Sequence, residues 1–270
     1  MRFSFAFMIL GIIVSVGILS AGLNLFEGYE QTLKAILLDS MSHISIHDVT
    51  ADYLSEPDAQ ELVSQLSQNK DISAVYPMLT SSVMVSGNGN VRGCQLKAYQ
   101  TDGMKAPYAK YVSEGSAELS DNHVIIGYYL ARELSLAMGD TLQVVYPNLD
   151  RITPLGFYPS SRNFIISGIY QSGYYEYDRS LIISTKASAD ELLLTRGKFS
   201  YLEVRLNPAQ IEKADAISRD MERSLGMSFI AIPWTVYNQG LFRLIMVQKW
   251  LIFIVFCFMV LIAGLNVVSA

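Results

Sequence analysis

The side chains best able to do chemistry in this 270-residue sequence are its three histidines. In the stretch HISIHD, His43 and His47 fall on one face of an alternating strand, a placement that suggests a metal site. A third ligand of suitable spacing does not lie nearby, because Asp48 points to the opposite face. We therefore expect a solvated strand face here and no bound metal.

Motifs that would indicate catalysis are missing from the sequence. It contains no GxSxG elbow, no HExxH pair and no P-loop, since Gly197-Lys198 is followed by Phe199 and lacks the upstream glycine spacing. Gly87, Gly89 and Gly93 resemble a dinucleotide-binding loop only superficially. The third glycine is one residue late, and a strand rather than a helix follows. We expect no enzymatic activity and no cofactor.

Two charge-free apolar runs, one near each end of the chain, enclose the rest of the sequence between them. The first covers Phe3–Leu23 (21 residues) and the second covers Trp250–Val268 (19 residues). As a helix the first run is about 30 Å long, which matches the hydrocarbon core of a bilayer. A cleaved signal peptide ending near Ser20-Ala21-Gly22 is the alternative for the first run. The second run favours a membrane protein with one large loop.

Charge and cysteine content exclude further classes of function. The chain has a net charge of −5, and its loop has no cluster of Lys and Arg that could follow a phosphate backbone, so we expect no nucleic-acid partner. Cys94 lies in the loop and Cys257 lies in the second apolar run, so these two residues cannot form a disulfide. The loop, at about 220 residues, can bury a core of its own.

These features divide the chain into five segments. We expect a transmembrane helix at 1–23, a stalk helix at 24–41, a periplasmic domain at 42–234, a second stalk at 235–249 and a second transmembrane helix at 250–270. Arg2 and the amino terminus favour a cytoplasmic start, although the positive-inside rule gives little weight to long loops. Because the sequence stops where the second span ends, we expect it to be a fragment.

Amphipathic spacing continues each span into a stalk. The apolar stripe of the first stalk is formed by Phe26, Tyr29, Leu33 and Leu37. The stripe of the second stalk is formed by Val236, Gly240, Leu244 and Val247. Both follow helical spacing, so the two stalks are expected to pack together and to link the loop domain mechanically to the membrane. Two separate surface helices are the alternative.

Between the stalks, short strands and helices without a regular βα alternation indicate an α+β domain. Strands are predicted at 43–48, 75–85, 91–99, 124–126, 141–146, 163–170, 180–184 and 201–206. Helices are predicted from an N-cap at Ser55 to Asn69, over 128–136, from about 187, and over 208–225 with Gly226 following. The segment Ser86–Asn90 has the residues of a hairpin turn.

One connection, residues 147–162 (PNLDRITPLGFYPSSR), is too long for an ordinary hairpin, which takes about two to five residues. It contains three prolines, Pro147, Pro154 and Pro159, and it presents Leu155, Phe157 and Tyr158 between Arg151 and Arg162. A loop stiffened by proline loses little entropy when it docks, so this one is suited to binding a partner. A loop folded back on its own domain is the alternative.

The order of these parts resembles the transmembrane subunits of lipoprotein-releasing ABC transporters, the LolC/LolE family, within the MacB-like permeases. The resemblance covers nearly the whole chain and is carried by five blocks: Leu25–Glu30, Ser42–Ile46, Ile126–Asp140, Gln248–Trp250 and Asn266–Ser269. The most specific match is Thr153-Pro154-Leu155-Gly156-Phe157-Tyr158-Pro159-Ser160-Ser161-Arg162. It looks like the protruding hook of the LolC-type member, which engages a periplasmic lipoprotein chaperone.

The resemblance implies a MacB-like α+β periplasmic core carried on transmembrane helices with stalks, in the bacterial inner membrane. It implies as partners a second permease subunit, identical or homologous, a cytoplasmic ATPase subunit that hydrolyses ATP, a lipoprotein cargo, membrane lipid and the chaperone. The chaperone contact would be made by Arg151, Thr153, Pro154, Leu155, Gly156, Phe157, Tyr158, Pro159 and Arg162. Motion driven by ATP would pass through the two stalks.

Two other classes of protein remain open. A MacB-like efflux permease shares this architecture but should lack the hook. A two-span receptor with a periplasmic sensor domain would also have paired stalks, and it should hold a compact ligand pocket. Two further spans downstream in the full reading frame would favour the transporter.

Overall fold

A computed structural model describes residues 2–100, 106–147, 152–153, 156–157 and 159–269 of the chain. The chain divides into two compact units. Met1–Ala35 and Thr235–Ala270 form the first, which we call the helical unit, and Ile36–Trp234 form the second, which we call the sheet unit.

The helical unit consists of long helices, and the sheet unit has shorter helices between its strands. The α-helices are α1 (Arg2–Ser40), α2 (Glu56–Leu66), α3 (Tyr128–Leu134), α4 (Tyr175–Ser180), α5 (Lys186–Leu193), α6 (Ala214–Leu225), α7 (Trp234–Tyr237) and α8 (Gln239–Ser269). Two 3-10 helices cover Ala109–Tyr111 and Pro208–Lys213.

Helices α1 and α8 are long and apolar enough to cross a membrane, over Ile9–Ser40 and Arg243–Ile262. The first of these stretches has 32 residues, which corresponds to about 48 Å of helix, more than the roughly 30 Å of a hydrocarbon core. The helix therefore continues past the apolar run, and α1 has no break where the sequence suggested that the span ends. Before α8, the short helix α7 forms a separate turn.

The strands are β1 (Ile44–Asp48), β2 (Ile72–Gly87), β3 (Asn90–Tyr99), β4 (Val112–Gly115), β5 (His123–Gly127), β6 (Thr141–Tyr146), β7 (Ile152–Thr153), β8 (Gly156–Phe157), β9 (Ser160–Tyr170), β10 (Leu181–Thr185), β11 (Tyr201–Leu206) and β12 (Phe229–Pro233). Ten of them form one sheet in the order β12-β1-β11-β2-β3-β10-β5-β9-β4, with β6 paired to both β2 and β9. Strands β7 and β8 form a separate two-stranded ladder.

The large sheet is mixed, because β10 runs parallel to β3 and β5 runs parallel to β9, while its other pairs are antiparallel. Helices and strands follow one another without a regular βα repeat. The α+β class predicted from the sequence is confirmed.

Each face of the sheet carries its own apolar layer. One layer, which we call the aliphatic layer, contains mainly aliphatic side chains of the strands and of α3 and α5, among them Leu96, Ile126, Leu130 and Leu192, together with the ring of Phe164. The other is rich in tyrosine, with Tyr99, Tyr108, Tyr170 and Tyr201 around Met78 and Ile183. We call the second layer the tyrosine face.

The sequence analysis assigned His43, Ser45 and His47 to a solvated face of β1, and this expectation is wrong. His43 is 6% exposed and Ser45 is 3% exposed, while Ile44 on the other face is fully buried. The sheet is covered on both faces, so an alternating strand does not have to present its polar side to water.

Several local predictions are confirmed. The hydroxyl of Ser55 accepts a hydrogen bond from the Asp58 N–H and caps α2. Asn88 and Gly89 take positive φ values of 47° and 80° in the turn that joins β2 to β3. The helix predicted over 208–225 begins as a 3-10 helix and becomes α-helical only at Ala214, and β12 was not predicted.

Candidate functional site

The long connection at residues 147–162, which we call the hook, leaves the sheet from a regular strand pair. Strands β6 and β9 pair antiparallel, and the pairing ends with Tyr146 opposite Ser160. Beyond that point β7 and β8 form their own antiparallel ladder, in which Ile152 lies opposite Phe157. The hook is thus a small hairpin carried on a larger one.

The predicted contact residues of the hook differ in how far the structure describes them. Arg151, Pro154, Leu155 and Tyr158 lie outside the described residues. Thr153, Gly156 and Phe157 are described as backbone in β7 and β8, and Pro159 is exposed directly before β9. The register pairs Thr153 with Gly156, so the residues between them connect the two strands of the ladder.

The side chain of Arg162, which the sequence analysis assigned to the chaperone contact, is bound inside the sheet unit. Its Nε donates to Asn122 Oδ1 at 2.9 Å, and its Nη1 pairs with the carboxylate of Glu191. The guanidinium also lies 5.6 Å from the ring centre of Phe164. With its side chain only 22% exposed, Arg162 ties the start of β9 to Asn122 and Glu191.

The base of the hook is fixed by packing as well as by Arg162. Phe164, Leu142 and Val144 are fully buried in the aliphatic layer. Strand β6 pairs with β9 along its whole length and with β2 over three residues. A hairpin tied to the sheet on two sides can hold the hook in a defined direction.

In the helical unit, α1 and α8 lie side by side. The Lys249 ammonium is 3.4 Å from a carboxylate oxygen of Glu30. A Cβ added at Gly22 would lie 3.3 Å from the ring of Phe256. The ion pair is partly exposed and contributes little stability on its own, but together these contacts bring the two helices together over at least two turns.

The stripes predicted for the two stalks are only partly buried. Phe26 and Leu37 are 7% and 2% exposed, and Leu33 is partly buried, but Tyr29 is 55% exposed. Val236, Leu244 and Val247 are more than half exposed, and Gly240 is exposed as well. Among the side chains of α8 that the structure describes, the buried one is instead Ile245, at 7%. Because α8 is apolar all round, its periodicity does not select one face.

A cleft of about 340 Å³ in the helical unit is lined by Leu23, Met246, Lys249, Trp250 and Phe253. Its wall is apolar apart from the Lys249 side chain. Trp250 and Phe253 meet edge to face with ring centres 5.9 Å apart. Such a surface suits hydrocarbon chains better than polar ligands.

The two histidines that suggested a metal site have separate structural roles. The ring of His47 stacks on Tyr201 at 5.1 Å, while His43 hydrogen-bonds backbone groups on both sides. Burial lowers the pKa of both imidazoles below their usual range. Among the described residues, no three His, Cys, Asp or Glu side chains are placed to hold a metal ion.

The sequence analysis missed a group of charged residues on the tyrosine face. Glu203 is fully buried, and the side chains of Lys97 and Arg205 are 11% and 12% exposed. All three alternate with apolar residues along their strands. That alternation is normally read as a solvated face, so no local signal distinguished them.

Two apolar helices able to span a membrane, with a large α+β unit between them in the chain, define a membrane protein with a domain outside the bilayer. The family of MacB-like periplasmic core domains matches residues 5–223. The chain belongs to this family, and its sheet unit is a periplasmic domain.

The chain is also similar to two lipoprotein-releasing system transmembrane proteins LolC. It is 24% identical to the protein of Neisseria meningitidis serogroup B and 23% identical to that of Xylella fastidiosa, in both cases over 97% of this chain and 63% of the relative. The chain therefore spans less than two thirds of these relatives. A solved structure of the periplasmic region of MacB from Actinobacillus actinomycetemcomitans is 14% identical, with a TM-score of 0.46 over 73% of this chain and 91% of that one.

Both relatives are named as transmembrane proteins. The two apolar helices of this chain agree with those names.

Proposed function

We propose that the chain is a permease subunit of an ABC transporter that extracts lipoproteins from the bacterial inner membrane and passes them to a periplasmic chaperone. Support comes from the family match over residues 5–223 and from the names of the LolC relatives. The observation that carries the proposal is the hook. It leaves the sheet from the β6–β9 strand pair, and its sequence places Leu155, Phe157 and Tyr158 among three prolines.

In this proposal the hook binds the chaperone. Leu155, Phe157 and Tyr158 supply apolar contact area, and Pro154 and Pro159 limit the entropy that is lost on docking. Arg162 holds the base through Asn122 and Glu191, so its contribution to chaperone binding is indirect.

The remaining parts of the transporter follow from the same proposal. A cytoplasmic ATPase subunit hydrolyses ATP, and a second permease subunit, identical or homologous, completes the membrane part. Lipoprotein acyl chains or membrane lipid occupy apolar surface of the helical unit such as the cleft at Leu23 and Trp250. The stalk residues of α1 and α8 carry the motion towards the periplasmic domain.

Replacement of Phe157 by alanine tests the hook. Loss of an aromatic anchor at an interface costs about 2 kcal/mol or more, which is roughly thirtyfold in Kd. We expect Phe157→Ala to weaken binding of the purified lipoprotein chaperone to the full chain in detergent by that factor. The melting temperature should stay within about 2 °C of the unmodified chain, because in this proposal the Phe157 side chain binds the chaperone and not its own domain.

Tyr175→Ala is the matched control, since Tyr175 is a 47% exposed aromatic residue of the sheet unit outside the hook. It should leave chaperone binding unchanged. A loop folded onto its own domain would give the opposite pattern for Phe157→Ala, with a lower melting temperature and unchanged affinity. Absence of chaperone binding by the unmodified chain would instead favour an efflux permease or a receptor.

A further inference from the structure

The last turn of α1, which belongs to the sheet unit, ends in an unusually complete set of hydrogen bonds. The final carbonyl groups of a helix have no partner within the helix. Here the carbonyl of Leu38 accepts from His43 Nε2 at 2.8 Å, and the carbonyl of Asp39 accepts from Arg205 Nη1 at 2.8 Å. The guanidinium of Arg205 is also a cation at the negative end of the helix dipole. The last carbonyls of the helix are therefore bound by side chains of the sheet unit.

His43 connects this turn to β11 through its second nitrogen. The backbone N–H of Leu206 donates to His43 Nδ1 at 2.9 Å. Because that N–H can only donate, Nδ1 carries no proton, and the proton must lie on Nε2, which donates to Leu38. The imidazole is thus neutral, with one fixed tautomer, and it joins the end of the helix to the end of a central strand.

Asp39 is held from a second direction through its side chain. Its carboxylate accepts hydrogen bonds from the Lys110 ammonium and from the Tyr111 hydroxyl, both in the 3-10 helix Ala109–Tyr111. The pair with Lys110 is half exposed and adds little stability by itself. Its effect is to fix the position of Asp39, because the backbone carbonyl of Asp39 is bound to Arg205 and its side chain is bound to Lys110 and Tyr111.

From Arg205 the contacts continue into the interior of the tyrosine face. Its Nε and Nη2 both donate to Glu203 Oε1 at 2.8 Å. The other oxygen of this fully buried carboxylate is 4.0 Å from Lys97 Nζ and has no hydrogen-bond partner among the described residues. Lys97 Nζ in turn lies 5.1 Å from the ring centre of Tyr177. Charged groups thus run without interruption from the end of α1 to β3.

Stability alone does not account for this arrangement. Removing a charge from water costs several kcal/mol per ion even after relaxation, and apolar side chains of similar volume are often at least as stabilising. One Arg205 guanidinium binds both a helix carbonyl and a buried carboxylate. Lysine cannot reproduce this, because its ammonium lacks the planar fork of donors.

We propose that Asp39, Arg205 and Glu203 form a coupling joint that passes displacement of α1 into the sheet of the periplasmic domain. The joint rests on the proposed transporter function and assigns to it three residues outside the hook and the stalk stripes. Arg205 is the positioning residue, since it fixes the end of α1 on one side and the buried Glu203–Lys97 pair on the other. When α1 shifts, these contacts make β11 and β3 follow.

The test uses the complete transporter, with its second permease subunit and ATPase, in proteoliposomes. Lipoprotein delivered to the chaperone is measured per ATP hydrolysed for the unmodified protein, Arg205→Lys, Asp39→Asn and the control Arg223→Lys. Arg223 forms an exposed pair with Asp220 on α6, so the same chemical change there should have no effect. Arg205→Lys should lower delivery per ATP by about fivefold or more, at the lower end of couplings between sites. ATP hydrolysis and chaperone binding should persist.

Unchanged delivery per ATP in Arg205→Lys overturns the joint, as does a parallel loss of ATP hydrolysis and chaperone binding, which would indicate general damage. If Arg205→Lys does not fold, Asp39→Asn decides, because its side chain is about half exposed and the change is small. Wild-type delivery per ATP in that variant also overturns the joint.

A failure of the proposed function is recognised separately, because the unmodified protein would then deliver no lipoprotein. Hydrogen exchange of the full chain still tests the joint in that case. Arg205→Lys should speed exchange of the Leu206 amide and of the β3 amides around Lys97. Faster exchange at Leu206 with no change around Lys97 would show that the contacts end at β11.

Discussion

Gly127 lies where the end of β5 meets α4, and the structure leaves no room there for a side chain. A Cβ at this position would lie 2.0 Å from the backbone oxygen of Asp178 and 2.5 Å from its carbonyl carbon. Asp178 is itself fixed, since it is fully buried and its carboxylate accepts from the N–H groups of Ser172 and Gly173 at 2.8 and 3.0 Å. The clash therefore cannot be relieved by rotating a side chain.

Gly127→Ala should lower stability substantially. Real Cβ atoms essentially never approach a heavy atom within 3.0 Å, so strand or helix must move by about 1 Å (3.0 minus 2.0). Overpacking that shifts backbone costs about 1–3 kcal/mol, and we take the upper end because the hydrogen bonds of Asp178 are disturbed as well. For a domain of about 200 residues, each kcal/mol lowers Tm by about 2–4 °C, so the expected loss is about 6–12 °C.

The measurement is thermal unfolding of the full chain in detergent, followed by tryptophan fluorescence, since Trp234 is buried in the sheet unit. Gly93→Ala is the matched control. A Cβ at Gly93 meets nothing within 4 Å, so Tm should change by no more than about 2 °C, as for other surface substitutions. A Tm for Gly127→Ala within that same range would refute the reasoning from close approach. An equal loss in both variants would show that any glycine of the sheet matters, whatever its neighbours.

Two further predictions concern His43 and Arg162. Burial, and to a smaller extent the positive charge of Arg205, lowers the pKa of His43 below 6.5. The folded chain therefore binds fewer protons at this imidazole than the unfolded chain. Its stabilising contribution is then complete above about pH 6.5 and is lost as the pH falls below that value. Chemical unfolding between about pH 7.5 and about pH 5 should show a smaller loss of stability in His43→Gln than in the unmodified chain. His47→Gln, measured in parallel, isolates the effect of the second imidazole. If stability falls with pH equally steeply in His43→Gln and in the unmodified chain, His43 is not responsible for the loss. Arg162→Ala should lower stability by about 1 kcal/mol and weaken chaperone binding, whereas a contact residue would weaken binding with Tm unchanged.

Much of the fold could be predicted from local pattern. The apolar runs define α1 and α8, alternation defines most strands, and Ser55 and Asn88-Gly89 define a helix start and a turn through bonds within a few residues. Strand β12 was not predicted, because Phe229–Pro233 is short and lies between two helices. The 3-10 helix Pro208–Lys213 was predicted as part of an α-helix, because its residues are compatible with both kinds of helix.

The hook could be located from the sequence, because its length, prolines and aromatic residues are properties of one continuous segment. The role of Arg162 could not, because its partners Asn122 and Glu191 are 40 and 29 residues away in the chain. The buried face of α8 could not be predicted either. A helix that is apolar all round gives no preference among its faces, so its sequence does not single out Ile245 as a buried residue.

The sequence by itself determined that this protein has two apolar helices, an α+β domain between them and a long connection with three prolines at residues 147–162, since each of these follows from neighbouring residues. Only the tertiary structure decided that His43 and Glu203 are buried, that Arg205 is largely buried, and that His43 and Arg205 close the end of α1. Alternation along a strand shows which residues share a face, but not what covers that face. The covering layer comes from distant parts of the chain, so charged residues that look solvated in the sequence became the link between a helix and the sheet.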